Sequence, residues 1–453
     1  MTRVIGFRHK RNFFIRQERH HRFMHSPWAA GLLLVLFTAL AMVLANVPAT
    51  AELYRHALEI PLSVGFDGWK IDQPVEAWIN DGLMAIFFFT VGLEIKREIV
   101  SGQLSGMRRA ALPLAAALGG MIVPASIYAL LNVGSPTAAG WGVPMATDIA
   151  FALGVLSLMG NRVPLPLKIF LTALAIVDDL GSILVIALFY SSGIDTTTLA
   201  AAIGVFAFML LLNRLNVYKM RYYLVPGIAL WILFLYSGIH ATLAGVLVAL
   251  TIPSTPRFSK RYFDYKTRYY LRSFRQHDRE GEEILTNPKQ LEDVETIRQI
   301  ALDAISPSQR LEYALHHTVA FFIMPAFALA NAGVRIEGLS ALDVTASTQG
   351  MGILLGLVAG KPLGIWLFSR LAVRAGWCTL PAGVSWRALF GVACLGGIGF
   401  TMSIFINNLA FEGTPAAASG KIAVLVASLV AVAAGVLAVP RKQRTQPAAG
   451  GRK

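Results

Sequence analysis

Residues 165–190 read LPLKIFLTALAIVDDLGSILVIALFY, an apolar run long enough to cross a bilayer, with two consecutive carboxylates, Asp178 and Asp179, halfway along it. A charged side chain at the centre of a membrane helix costs roughly 2.5 to 3.5 kcal/mol even on the forgiving insertion scale, so two together imply a task that offsets the cost. Consecutive residues on an α-helix differ by about 100° in direction, so the two carboxylates meet different partners.

Outward from that run, the rest of the chain is of the same kind. Its 453 residues are 55% hydrophobic and only 15% charged, with a mean hydropathy of +0.58, which excludes an ordinary soluble protein. Twelve apolar runs, at 27–47, 81–95, 110–131, 143–159, 165–190, 199–213, 222–237, 239–252, 313–332, 351–368, 389–410 and 422–439, predict an all-α polytopic membrane protein of about 12 transmembrane helices. The net charge of +14 does not call for nucleic acid, because the basic residues fall in alternate loops. Among the 40 lysines and arginines, only Arg55, Lys70, Arg335 and Lys421 fall in segments read as external, and Lys361 falls inside a span. Both termini are therefore expected in the cytoplasm. A basic cytoplasmic arm at 1–26 precedes a single transmembrane domain at 27–439, and a cytoplasmic tail follows at 440–453. Cys378 and Cys394 have no metal-ligand spacing and read as small buried residues.

Two loops stand out. The external one carries LEIPLSVGFDGWKI at 58–71, loosely alternating around Asp67-Gly68, and predicts a small β-hairpin. The cytoplasmic one, at 253–311, is rich in both charge signs and tyrosine, with a helix expected over 287–305.

Two runs are interrupted. Val143-Pro144-Met145-Ala146-Thr147-Asp148 puts a proline and an acid into the fourth span, and Cys394-Leu395-Gly396-Gly397-Ile398-Gly399 puts three glycines into the eleventh. Each is the second span of a three-span group, 109–190 and 350–439, which loop charge places in opposite orientation, the arrangement of inverted-topology repeats with broken helices in spans 4 and 11. In the tenth span Gly352, Gly356, Gly360 and Gly364 recur every fourth residue and predict close helix packing, and Lys361-Pro362 follows beside them.

The intramembrane ionisable groups are few: Asp148, Asp178, Asp179 and Lys361 near mid-span, with Glu94, Lys96, Arg97 and Glu98 at the cytoplasmic end of the second span. A lysine in mid-membrane needs an anion or a water-filled cavity, and one aspartate of the pair can supply the anion while the other faces a cavity. Carboxylates so placed bind a proton or a hard cation that prefers oxygen, and the two compete. Asp148 and Lys361 can equally offset the partial charges at the broken helix ends. His240 and the pair His316-His317 fall near span ends, with no zinc-like spacing.

At these residues the sequence resembles the NhaA family of bacterial sodium/proton antiporters, through FFFTVGLEIKREIVSGQLS (87–105), PMATDIAFALGVLSLMG (144–160), LKIFLTALAIVDDLGSILVIALFY (167–190), SGIHATLAGV (237–246), FALANAGV (327–334), GKPLGI (360–365) and GIGFTMSIFI (397–406). Inverted repeats and broken helices are features of that family's fold. The resemblance implies that Asp178 and Asp179 form the shared cation and proton site, that Lys361 pairs with Asp178, and that Thr147 and Asp148 lie where the broken helices cross. It implies that Glu94, Arg97, Glu98, Glu312 and His240 belong to a cytoplasmic pH-response cluster. It further implies electrogenic export of Na+, or Li+, against protons entering down the proton-motive force, with no resident cofactor. A homodimer joined through the hairpin at 58–71, in the bacterial inner membrane, completes the expectation. The loop at 253–311 is longer than the family's usual connection, Tyr313 stands where some relatives have histidine, and the N-terminal arm is extended.

Two other readings of an aspartate pair are a sodium- or proton-coupled symporter and an intramembrane aspartyl protease. The first needs an organic co-substrate, of which the sequence carries no sign. The second needs two carboxyls in contact across a cleft, whereas neighbours on one helix diverge.

Overall fold

The structure, a computed structural model, describes residues 27–66, 69–191, 193–278, 284–336 and 341–439. The basic arm at 1–26, the tail at 440–453 and the expected turn residues Asp67 and Gly68 lie outside the described residues.

The first apolar run forms α1 (Pro27–Asn46), which stops where Pro48 holds the preceding Val47 in an extended conformation. The same proline then opens α2 (Pro48–Glu59), a helix in the connection after the first span that the sequence did not announce. Because α2 takes up residues 58 and 59, the hairpin starts later than expected: β1 (Pro61–Phe66) pairs antiparallel with β2 (Trp69–Pro74), with Pro61 opposite Pro74 and Phe66 opposite Trp69. A π-turn at Trp78–Leu83 leads into α3 (Met84–Ser101). There follow α4 (Met107–Leu131), a 3₁₀ turn (Ala138–Met145), α5 (Ile149–Leu158), α6 (Leu165–Phe189), α7 (Thr196–Arg214), α8 (Arg221–Ser237) and α9 (Thr242–Thr251). The long insertion after α9 supplies α10 (Lys260–Gln276) and α11 (Pro288–Asp303). The chain then runs through α12 (Pro307–Asn331), α13 (Thr348–Arg374), α14 (Trp386–Gly396), α15 (Phe400–Ala410) and α16 (Ala416–Ala438).

Among the described residues, eight helical segments are long and apolar enough to cross a membrane, and nine if the bent pair α14 and α15 counts as one span. The helices α3, α8 and α9 fill the three remaining apolar runs of the sequence; α8 and α9 are shorter than a full crossing, at 17 and 10 residues. The protein is a multi-pass membrane protein of almost wholly helical architecture, with one two-stranded sheet among the described residues.

Contacts gather the described residues into two bodies: those up to 87, from 101 to 191 and from 317 to 439 in one, those of 88–100 and 193–316 in the other. The first body holds the broken helices. Its centre is the packing of α13 along α4, where Gly352 faces Tyr128 and Asn132, Gly356 faces Pro124, Gly360 faces Pro124 and Ile127, and Gly364 faces Gly119. A Cβ on Gly364 would lie 2.0 Å from the Gly119 carbonyl oxygen, so only glycine permits this approach. A π-turn at Gly356–Gly360 interrupts α13, and Lys361 N–H donates to the Gly356 carbonyl there. Pro362, which has no N–H to give, follows directly, and the widened turn absorbs the missing donor without ending the helix.

In the second body, α10 and α11 form an antiparallel pair. Asn287 caps α11 by accepting from Gln290 N–H at 3.2 Å and donates to the His277 carbonyl at the end of α10 at 2.8 Å. Gln290 Nε2 reaches the Phe274 carbonyl at 3.1 Å, and His277 and Asp293 lie 3.4 Å apart. The helix expected over 287–305 is α11; its neighbour α10 occupies a stretch for which the sequence predicts no helix.

Candidate functional site at the crossing of two broken helices

The two interruptions meet, and each completes the other's backbone. Non-helical backbone at membrane depth must find partners inside the protein. The Asp148 N–H donates to the Ile398 carbonyl at 2.7 Å, and the Thr147 hydroxyl donates to the Gly396 carbonyl at 2.8 Å, at the C-terminal end of α14. Gly397 lets this happen: a Cβ there would fall 2.3 Å from the Leu357 carbonyl oxygen on α13. The chain bends by 46° between α14 and α15.

Asp148 is completely buried and serves both half-helices that start at the crossing. Its Oδ1 accepts from Phe151 N–H at 2.9 Å, capping α5, while its Oδ2 accepts from Thr401 N–H at 3.2 Å and from the Thr401 hydroxyl, capping α15. One carboxylate thus meets the positive ends of two helix dipoles. The Ser403 hydroxyl adds a bond to the Val143 carbonyl at 2.7 Å, and Phe400 N–H donates to Ser428 Oγ at 3.1 Å.

Lys361 does the converse. Its Nζ donates to the Met145 carbonyl, at the negative end of the 3₁₀ turn, and to Asp178 Oδ2 at 2.6 Å. Lys361, Asp178 and Asp179 are each 1% exposed, so the ion pair is wholly removed from bulk solvent. Asp179, the next residue along α6, is within electrostatic reach of the same ammonium. Ser182, one turn beyond Asp178 on the same helix face, is buried, and its hydroxyl has no hydrogen bond among the described residues.

The crossing therefore gathers Thr147, Asp148, Asp178 and Lys361 with Asp179 beside them. Sequence reading missed Thr401, although it lies inside the quoted GIGFTMSIFI, because nothing in a single sequence says which hydroxyl faces the fourth span. It missed Ser182 as well, whose only signal is its i+4 spacing from Asp178. It also missed a chain of amides at the other end of α15: Asn408 Nδ2 donates to Asn331 Oδ1 at 2.6 Å, and Asn331 Nδ2 to Asn80 Oδ1 at 2.8 Å.

A second charged group forms separately, at the end of α3. Arg97 Nη2 lies 2.9 Å from Glu98 Oε1 and 3.8 Å from Glu94 Oε1, and Nη1 donates to Glu312 at the start of α12. Lys96 closes the C-terminal end of α9 by donating to the carbonyls of Leu250, at 2.6 Å, and Ile252. His240 is not brought to this cluster: it precedes α9, whose other end Lys96 holds, about 15 Å of helix away.

The family model described as Na+/H+ antiporter 1 matches residues 21–439. The Na(+)/H(+) antiporter NhaA 2 of Syntrophotalea carbinolica is 45% identical over 428 residues, covering 94% of this chain and 97% of its own length. NhaA proteins of Oleidesulfovibrio alaskensis and Cronobacter sakazakii are 47% and 45% identical, over 90% and 92% of this chain and 91% and 96% of their own lengths. With the match running from before α1 to the end of α16, through both broken helices and the aspartate pair, the chain belongs to the Na+/H+ antiporter 1 family.

Proposed function

We propose that this protein is a secondary antiporter that exports Na+, and Li+, in exchange for protons entering down the proton-motive force. Asp178 and Asp179 are the groups for which the cations compete. The observation that carries this reading is two adjacent carboxylates, 1% exposed, at the middle of α6 beside a crossing of broken helices. The names of the relatives, Na(+)/H(+) antiporters, support Na+ and H+ as the exchanged ions.

In this reading Lys361 and a bound cation compete for Asp178. The ammonium takes Oδ2, and a sodium ion drawn to the two carboxylates offers the same oxygen an alternative partner. Protonating both carboxylates removes the reason for the cation to stay. More protons entering than Na+ leaving per cycle move net charge, so the cycle is electrogenic and responds to membrane potential. Asp148 and Thr147 hold the crossing, and its two half-helices are the elements that alternate access moves against the rest. Glu94, Arg97, Glu98 and Glu312 place three carboxylates around one guanidinium, a compact charged cluster that supports a role in pH control of the exchange.

The placement is the bacterial inner membrane with both termini cytoplasmic, as the distribution of Lys and Arg among the loops supports. The hairpin β1-β2, with Leu62 and Val64 exposed, supports a homodimer formed along it. The chemistry uses no resident cofactor.

In proteoliposomes with an imposed pH gradient, adding Na+ or Li+ should drive proton movement, and Asp179→Asn should abolish it. Proton movement that needs neither cation, or that survives Asp179→Asn, refutes the reading.

A further inference from the structure

The most basic element of the described structure lies outside the transport site. The helix α10, KRYFDYKTRYYLRSFRQ, carries six lysines and arginines against one acid, Asp264. Its residues divide cleanly around the axis. Phe263, Thr267, Tyr270 and Phe274 fall within one sector, at about 100° per residue, and are the half-buried side toward α11. On the opposite side Arg261, Arg268, Arg272 and Arg275 form one exposed row, and Tyr262, Tyr265 and Tyr269 form a second row next to it.

The tyrosines are the anomaly. They are 40%, 65% and 57% exposed, large apolar rings left in the open on a helix whose other face already has a partner. Lys266 Nζ lies 5.8 Å from the Tyr262 ring centroid and 6.0 Å from that of Tyr269, so the row is held from beneath by a cation. The arginines are mostly uncommitted within α10, the ion pair of Arg268 with Asp264 at 2.9 Å being exposed on both sides.

The position of α10 is also fixed. It starts nine residues after α9 ends, and the two strands of the insertion are tied together at its base. Arg257 and Phe258 N–H both donate to the Asp303 carbonyl, at 3.1 and 3.3 Å, and Ser308 N–H donates to the Pro253 carbonyl at 3.2 Å. An amphipathic helix held this close to the ends of spans cannot leave the membrane surface by more than the length of that short tether.

We propose that α10 is a bilayer-surface helix. Arg261, Arg268, Arg272 and Arg275 take the phosphates of anionic phospholipid headgroups, and Tyr262, Tyr265 and Tyr269 sit among those headgroups. A guanidinium matches a phosphate through paired N–H donors, and tyrosine favours the boundary where its ring is apolar and its hydroxyl is wet. A positive row beside an aromatic row is the pattern that binds such a surface. The proposal takes the leaflet to be the cytoplasmic one, which rests on the orientation proposed above.

The test places the full chain in nanodiscs of phosphatidylcholine alone, or with about a third phosphatidylglycerol, and reads hydrogen exchange of the amides of 260–276. Both leaflets carry the same lipid, so the result depends neither on orientation nor on transport. We expect exchange about tenfold slower with the anionic lipid, reversed by high salt, and unchanged by lipid in α11. Replacing all four arginines (Arg261→Gln, Arg268→Gln, Arg272→Gln, Arg275→Gln) should remove the lipid dependence. If that variant loosens α11 too, Arg272→Gln alone carries the test and should weaken the effect roughly twofold, one of four equal shares of a tenfold effect. Equal exchange in the two lipids, or slowing that survives the arginine replacements, overturns the proposal. Slowing by inorganic phosphate in phosphatidylcholine discs, matching that by phosphatidylglycerol, overturns it as well and assigns the row to soluble anions.

Discussion

Replacing Lys361 by methionine removes a cation from a site where Asp178 has no access to bulk solvent. Both partners are 1% exposed and their contact is 2.6 Å, so the variant leaves a buried carboxylate facing an apolar side chain. Breaking a buried pair from one side costs about 3 to 5 kcal/mol, while replacing both partners by apolar groups of similar volume is near neutral. The same change also strips the Met145 carbonyl of its donor, which adds about 1 kcal/mol. Lys361→Met should therefore unfold at much lower denaturant, with the folded population relative to unfolded reduced by roughly a thousandfold or more. Lys361→Met combined with Asp178→Leu should recover most of the loss. Unfolding by titration in mixed micelles, followed by circular dichroism, gives the four corners of the cycle, and the coupling energy should exceed about 2 kcal/mol. A single variant that loses less than about 1 kcal/mol, or a double variant whose loss is the sum of the two singles, would show that the pair is not the buried, mutually dependent unit described.

Asp148→Ala uncaps α5 and α15 together and should cost about 1 kcal/mol at each helix start, twice the effect of an ordinary cap, while Thr401→Val should cost roughly half as much; thermal stability in detergent separates the two. Gly364→Ala forces a methyl group against the Gly119 carbonyl and should lower melting temperature severely, whereas Gly204→Ala, where a Cβ meets nothing, should be near neutral or slightly stabilising. Arg97→Gln takes the one guanidinium from three carboxylates, so the pH profile of Na+-driven proton movement should shift to more alkaline pH, by about one unit; a profile that stays in place argues against a role for this cluster in regulation.

What could be read in advance was set by local chemistry. The aspartate pair, Pro144 and the glycines at 396, 397 and 399 announced a charged, interrupted core because each violates what an uninterrupted membrane helix tolerates. Residues whose role depends on a distant partner were silent: Thr401 carries no signal until the fourth span is placed beside it, and Ser182 carries only its i+4 spacing from Asp178. The fourfold glycine spacing predicted tight packing, yet a regular helix rotates such positions by about 40° per step and would have turned Gly364 about 120° away from Gly352. The π-turn at Gly356–Gly360 winds fewer degrees per residue and keeps all four against α4, a correction that no propensity reveals. The helices α2 and α10 were missed because both lie in polar connections, where run length says nothing and only the division of faces betrays a helix.

The mutual completion of the two breaks also sets a problem in time. The Thr147 hydroxyl waits for a carbonyl 249 residues further along the chain. At roughly 5 to 20 residues per second, the ribosome needs on the order of 12 to 50 seconds to make that stretch. Throughout that interval the Thr147 hydroxyl, the Asp148 N–H and Asp148 Oδ2 sit at membrane depth without the partners on 396–401 that satisfy them in the finished fold. The first half of the molecule is thus an unfinished object on the timescale of its own synthesis, sheltered by water or by the insertion machinery until α14 and α15 arrive. Quality control that surveys polar groups in the bilayer would find the half-made transporter by this carboxylate and by Asp178, whose Lys361 lies 183 residues further on.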